Sequence, residues 1–128
     1  MHIVLFFNRV ALTDSASDLD VLRQCVAVES SLHALGHTTS RAVCSLDLAE
    51  SRHAILTQQP DAVFNLVESL GGTDRLMPVA AVLLEAMGIP FTGASSLAML
   101  STSGKLVAKQ RLLDYELPTP AWMPLHES

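Results

Sequence analysis

Three stretches of this chain carry side chains of the right type and spacing for chemistry. The first is Asp14-Ser15-Ala16-Ser17-Asp18-Leu19-Asp20. It leads into an amphipathic pattern, where a helix start ordinarily draws anions through its free N–H groups. Here the loop supplies carboxylates, which suit an ammonium group or serve as helix caps at Asp18 or Asp20. The second is Asn65-Leu66-Val67-Glu68-Ser69-Leu70-Gly71-Gly72-Thr73-Asp74. Glu68 and Ser69 directly follow an apolar run, and Gly71-Gly72 lets the backbone approach a ligand. The third is Lys105 with Lys109, four apart and so on one face of a helix. Two ammonium groups there suit phosphate oxygens or plain solvation. No G-x-G-x-x-G follows the first apolar run, where Asn8-Arg9-Val10 stands, and no P-loop or Cys/His metal spacing occurs. The histidines are scattered and read as surface or capping groups.

Positioning these residues requires strands that deliver them to one edge. Ile3 to Phe7 is a continuous apolar run and reads as a buried strand. Val21, Leu22, Cys25, Val28, Leu32 and Leu35 recur at helical spacing, and Gly36 ends that helix. His37 to Ser45 reads as a second strand, Leu48 to Gln58 as a helix, and Ala62 to Val67 as a third buried strand. Leu76 to Met87 is apolar nearly all round, so a deeply buried helix is expected, closed by Gly88. Ile89-Pro90-Phe91-Thr92 reads as a short fourth strand, Ser95 to Leu100 and Ser103 to Tyr115 as helices, and Ala121 to Leu125 as the start of a further strand. The alternation predicts an α/β domain: an open parallel sheet of about four to five strands with helices on both faces. Ligands of such sheets bind beyond the carboxyl ends of the strands. Asp18, Glu68 and Ser69 are all expected at that edge.

The chain has 128 residues, a formal charge of −5, and 49% hydrophobic against 16% charged residues. That is enough for one packed core and excludes a disordered chain. No basic cluster interrupts the negative charge, so nucleic-acid partners are not expected. No apolar run approaches the roughly 20 residues of a membrane span, and no signal peptide opens the chain, so membrane insertion is not expected and a cytoplasmic location is. Cys25 and Cys44 sit in apolar periodic segments and read as free buried thiols of a reducing compartment.

A resemblance connects these pieces. Phe64-Asn65-Leu66, Gly71-Gly72, Leu84-Glu85-Ala86-Met87-Gly88-Ile89-Pro90-Phe91-Thr92-Gly93, Lys105-Leu106-Val107-Ala108-Lys109 and Leu117-Pro118-Thr119-Pro120 occur in that order. Together they resemble the amino-terminal part of the D-alanine–D-alanine ligases and related ATP-grasp enzymes. The resemblance implies a Rossmann-like, pre-ATP-grasp domain over residues 1–100. Residues 101–128 would lead through a helix and linker into an ATP-grasp domain that this chain does not contain. It implies a substrate-side domain of an ATP-dependent carboxylate–amine ligase, inactive alone. A non-catalytic binding or dimerisation module that kept the scaffold is the alternative. ATP and Mg2+ would serve the parent enzyme, with none bound by this chain alone, and the partners would be a small amino acid or carboxylate, the downstream domain and a second copy. On the residue match, Asp18 takes the place of a glutamate that contacts the substrate amine. Glu68 takes that of a loop histidine beside Ser69, and Lys105 keeps a lysine that meets ATP phosphate. The arginine expected after Asp18 is Leu19, and the aspartate expected before Lys105 is Gly104.

Overall fold

A computed structural model describes residues 1–10 and 16–121, with residues 16–19 described by their backbone alone. The first apolar run forms strand β1 (His2–Asn8). Helix α1 (Ala16–Ala34) follows, then β2 (Thr38–Cys44), α2 (Leu48–Leu56) and β3 (Ala62–Asn65). Helices α3 (Pro78–Met87), α4 (Ser96–Thr102) and α5 (Lys105–Asp114) complete the described elements. The strands form one parallel sheet in the order β2-β1-β3. Reversing direction after β2 puts a topological switch point between β1 and β3.

Period-two alternation along β1 divides the core. Val4 and Phe6 point to one face and join Ile55 of α2 with Ala80 and Leu84 of α3. Leu5 and Phe7 point to the other and join Val21 and Cys25 of α1. Helices therefore cover both faces, as the pattern predicts. Removing a side chain such as Phe6 or Ile55 from water contributes roughly 1.5–3 kcal/mol each, so this double contact makes β1 the centre of the domain.

The turns follow local rules. Gly36 ends α1 with φ +81°, donating its N–H to His33 while His37 N–H reaches Leu32, and Gly88 closes α3 at φ +66°. Asp47 caps α2, its Oδ1 accepting the Glu50 N–H at 2.9 Å.

Three expectations change. The sheet has three strands among the described residues, not four to five. The segment expected as a fourth strand makes a single parallel bridge, Val63 to Phe91. Val63 N–H donates to the Pro90 carbonyl at 2.8 Å and Thr92 N–H to the Val63 carbonyl at 3.0 Å. The next donor, Asn65 N–H, goes to the Thr92 side-chain Oγ1 at 3.1 Å instead of a backbone carbonyl, and the ladder stops there. The further strand expected from Ala121 falls almost wholly on residues 122–128, outside the described residues. Helix α3 begins at Pro78, after a 3-10 turn over Asp74–Leu76, because proline lacks the N–H that an interior position would use. Its burial is also one-sided: Pro78, Ala80, Ala81 and Leu84 are buried while Val82 is 47% exposed. Helix α1 starts at Ala16, so Asp18 and Asp20 lie inside it instead of preceding it as caps.

Candidate functional site: the carboxyl edge of the sheet

The loops after β1, β2 and β3 surround an open cleft of about 590 Å³. Its lining includes Asn8 and Arg9 after β1, Ser45 to Asp47 and Glu50 around the start of α2, and Ser69 to Gly72 after β3. Asn8 is the last residue of β1 and shares the face of Val4 and Phe6. It is only 6% exposed. Its Oδ1 accepts the Glu68 N–H at 3.3 Å, which ties the β3 loop to β1 and settles which end of the amide is oxygen. Arg9 Nη2 reaches both carboxylate oxygens of Glu50, at 3.3 and 3.1 Å. Ser45 Oγ donates to the same carboxylate at 3.2 Å. Below, buried Ser51 accepts the Ser45 N–H and donates to the Asp47 carbonyl, fixing the turn into α2.

The glycine pair forms the opposite wall. Leu70 and Thr73 exchange backbone hydrogen bonds at 3.0 and 3.2 Å around Gly71 and Gly72. Their φ angles of +59° and +77° make this a two-residue turn of the I′ kind, which ordinary L residues resist. Gly71 also sits against Leu46: an added Cβ would lie 2.9 Å from Leu46 Cδ1.

The residues singled out by sequence scatter around this edge. Ser69 lines the cleft. Glu68, its neighbour, turns toward the α1 side, where Gln24 Nε2 donates to its Oε1 at 3.1 Å. Asp18 lies in the first turn of α1, and its side chain is outside the described residues. Lys105 is the first residue of α5, exposed and outside the cleft lining. Lys109 is not available as a second phosphate ligand in this arrangement: its Nζ donates to the Pro120 carbonyl at 2.7 Å and to Thr119 Oγ1 at 3.3 Å, holding the proline-rich segment against α5. Sequence reading passed over Asn8, Arg9, Asp47 and Glu50. The Asp47-x-x-Glu50 spacing is a helix-start signal that could have marked the β2–α2 loop; nothing local marks Asn8.

Both thiols are fully buried, which disfavours their thiolate forms. Burial pushes Cys44 up to about 11, with a Ser51 hydrogen bond opposing weakly, and burial likewise raises Cys25 against the pull of Arg41. Among the described residues no group of three His, Cys, Asp or Glu side chains is placed to hold a metal, and no helix is long and apolar enough to cross a membrane.

Fold and edge thus define an α/β domain with an open parallel sheet and a polar cleft at its carboxyl end. Within that class, the chain is 35% identical to a D-alanine–D-alanine ligase of Moorella thermoacetica over 103 residues, 80% of this chain and 31% of the relative. It is 32% identical to the uncharacterized protein y4sG of Sinorhizobium fredii over 99 residues, 73% of this chain and 29% of that protein. No family model matches. The chain spans less than a third of the length of these curated relatives, and the first similarity supports a relation to the D-alanine–D-alanine ligases.

Proposed function

We propose that the chain is the substrate-side, Rossmann-like pre-ATP-grasp domain of an ATP-dependent carboxylate–amine ligase and has no ligase activity alone. The observation that carries this reading is the 35% identity to a D-alanine–D-alanine ligase across 80% of the chain. The β2-β1-β3 order supports it, because a switch point lies beside Glu68. Glu68, with Asp18 from the start of α1, favours a cationic group such as a substrate ammonium, and Ser69 adds a hydroxyl at the same loop. Gln24 holds Glu68 in place as a positioning residue.

ATP and Mg2+ belong to the parent enzyme in this reading. ATP supplies the activated acyl phosphate, and the metal offsets phosphate charge. In this reading Lys105, the first residue of α5, is this chain's contribution toward phosphate. An ADP-release assay on the 128-residue chain, with D-alanine and other amino acids, should stay at background; steady turnover would overturn the reading. In the full-length enzyme, Asp18→Asn or Glu68→Gln should raise KM for the amine substrate, and unchanged KM and kcat in both would remove these carboxylates from the site.

A second reading, a dimerisation module, is favoured by apolar side chains on α4 and α5: Leu97 is 70% exposed, and Leu100, Leu106 and Val107 are each more than half exposed. Light scattering should then show a homodimer, and a monomer at high concentration would remove this reading.

A further inference from the structure

Helix α5 ends on a residue that resists the ending. Leu117 N–H donates to the Leu112 carbonyl at 2.8 Å and Glu116 N–H to the Leu113 carbonyl at 2.9 Å. These are the paired bonds of a helix cap whose turning residue must be left-handed. Gly36 and Gly88 fill that place, with the same two bonds, at the ends of α1 and α3. Here it is Glu116, held at φ +56°. A side chain resists that region, and a carboxylate there meets the negative end of the helix dipole. Beyond it, Pro118 and Pro120 have fixed φ angles, and Leu117 and Thr119, each preceding a proline, are restricted to extended backbone. Residues 117–120 therefore form a stiff arm whose nearest soft joint is Glu116. The far end of the arm is pinned back to α5: Lys109 Nζ donates to the Pro120 carbonyl at 2.7 Å and to Thr119 Oγ1 at 3.3 Å.

We propose that Glu116 and Lys109 are the hinge and the catch of a latch that sets the direction in which the chain leaves α5. In the closed state Lys109 holds the arm and Glu116 bears the strain. When Lys109 lets go, its ammonium and the Pro120 carbonyl return to water, Glu116 relaxes to ordinary backbone, and residues 117–120 swing away together. The opposing effects are of similar size. The left-handed residue favours opening by roughly 5–30-fold. A hydrogen bond from a charged donor favours closure by about tenfold or more, with the low end fitting this exposed site. Neither wins by much, which is the condition for two populated states. Glycine at position 116 would remove the opposition and leave a fixed cap. The latch goes beyond the ligase reading and does not depend on it.

Two measurements on the full 128-residue chain test this. Hydrogen exchange at the Leu117 N–H, followed by NMR, reports the cap. Fluorescence anisotropy of Trp122, the sole tryptophan and two residues beyond Pro120, reports the arm. Helix α5 buries no side chain, so substitutions at its surface leave the fold intact. Lys109→Met should speed exchange at Leu117 by about tenfold and lower the Trp122 anisotropy, while amides in the middle of α5 keep their rates. Lys109→Arg, which can still donate to both acceptors, should restore both readouts. Glu116→Gly should slow exchange at Leu117 by about fivefold or more, and combined with Lys109→Met it should bring the rate back toward that of the unchanged chain. Glu116→Gln, which drops the charge and keeps the side chain, should recover only a small part of the glycine effect. Unchanged exchange and anisotropy in Lys109→Met would overturn the proposal, because the backbone cap alone would then hold the arm. Equal acceleration along all of α5 would overturn it too, by making Lys109 a general support of the helix. So would a full glycine effect from Glu116→Gln, which would assign the strain to charge and remove the hinge.

Discussion

Replacing Gly71 and Gly72 one at a time by alanine separates two costs that share one turn. Both residues have positive φ, +59° and +77°. An L side chain in that region costs roughly 1–2 kcal/mol, so each alanine should destabilise the domain by about that amount. At Gly72 nothing lies within 4 Å of the added Cβ, and the backbone cost stands alone. At Gly71 the Cβ would meet Leu46 Cδ1 at 2.9 Å, with Cγ at 3.5 Å and Cδ2 at 3.6 Å. Leu46 is 64% exposed, so it can rotate away. Turning it off its packed rotamer adds about 0.5–1.5 kcal/mol. Gly71→Ala should therefore cost more than Gly72→Ala, a gap of roughly 2–6 °C in melting temperature for a domain of this size. In a Leu46→Ala background the excess should disappear and the two alanines should become equivalent. Asparagine at either position should recover part of the loss, because it tolerates left-handed backbone better than alanine does. Urea denaturation with a constant slope across the set measures each step. A neutral Gly72→Ala, or an excess at Gly71 that survives removal of Leu46, would refute the reasoning.

Other perturbations have equally definite outcomes. Glu29 accepts from Arg41 Nε at 2.7 Å and Nη2 at 2.6 Å, joining α1 to β2, and that bond holds its carboxyl below the ordinary range. Because the folded value is lowered, its stabilisation is complete above the ordinary carboxylate value and is lost as pH falls through the folded one. Discounted for partial exposure, Glu29→Gln should cost about 0.5–1 kcal/mol at neutral pH and almost nothing in strong acid; a pH-independent difference in urea midpoints would contradict this. Glu85 takes the Ser96 hydroxyl at 2.6 Å and the Ser96 N–H at 2.8 Å, which hold its carboxyl low and tether α4 to α3. Glu85→Ala should speed hydrogen exchange at Ser96, with a smaller effect for Glu85→Gln, and acid should loosen the native tether in the same way; unchanged exchange would show that α4 is held by packing alone. Cys25 and Cys44 should resist a thiol reagent at pH 8 in the native state and react only on unfolding, and prompt native labelling of Cys44 would contradict its burial.

Much of the scaffold was legible from local signals. The run Ile3 to Phe7 is apolar without interruption because β1 is covered on both faces, and such a run announces a central strand. Gly36 and Gly88 marked helix ends because only glycine enters the left-handed region freely. Gly71-Gly72 marked a turn for the same reason. What remained illegible was which residue meets which. Glu68 and Ser69 are adjacent in sequence and read as one site, yet one pairs with Gln24 on the α1 side and the other lines the cleft by α2. Lys105 and Lys109 share a helical spacing, yet Lys109 is taken by Pro120 and Thr119. The fourth strand failed because the Thr92 side chain, not its carbonyl, receives the Asn65 N–H. Periodicity and backbone preference act within a few residues, so the sequence alone determined the β1, β2 and β3 strands, the helices between them and the glycine turns, though not where each element begins. The β2-β1-β3 order brings together Asn8, Arg9, Glu50 and Gly71 from distant loops, and only the tertiary structure decided that meeting, because packing acts through space and leaves no spacing to read along the chain.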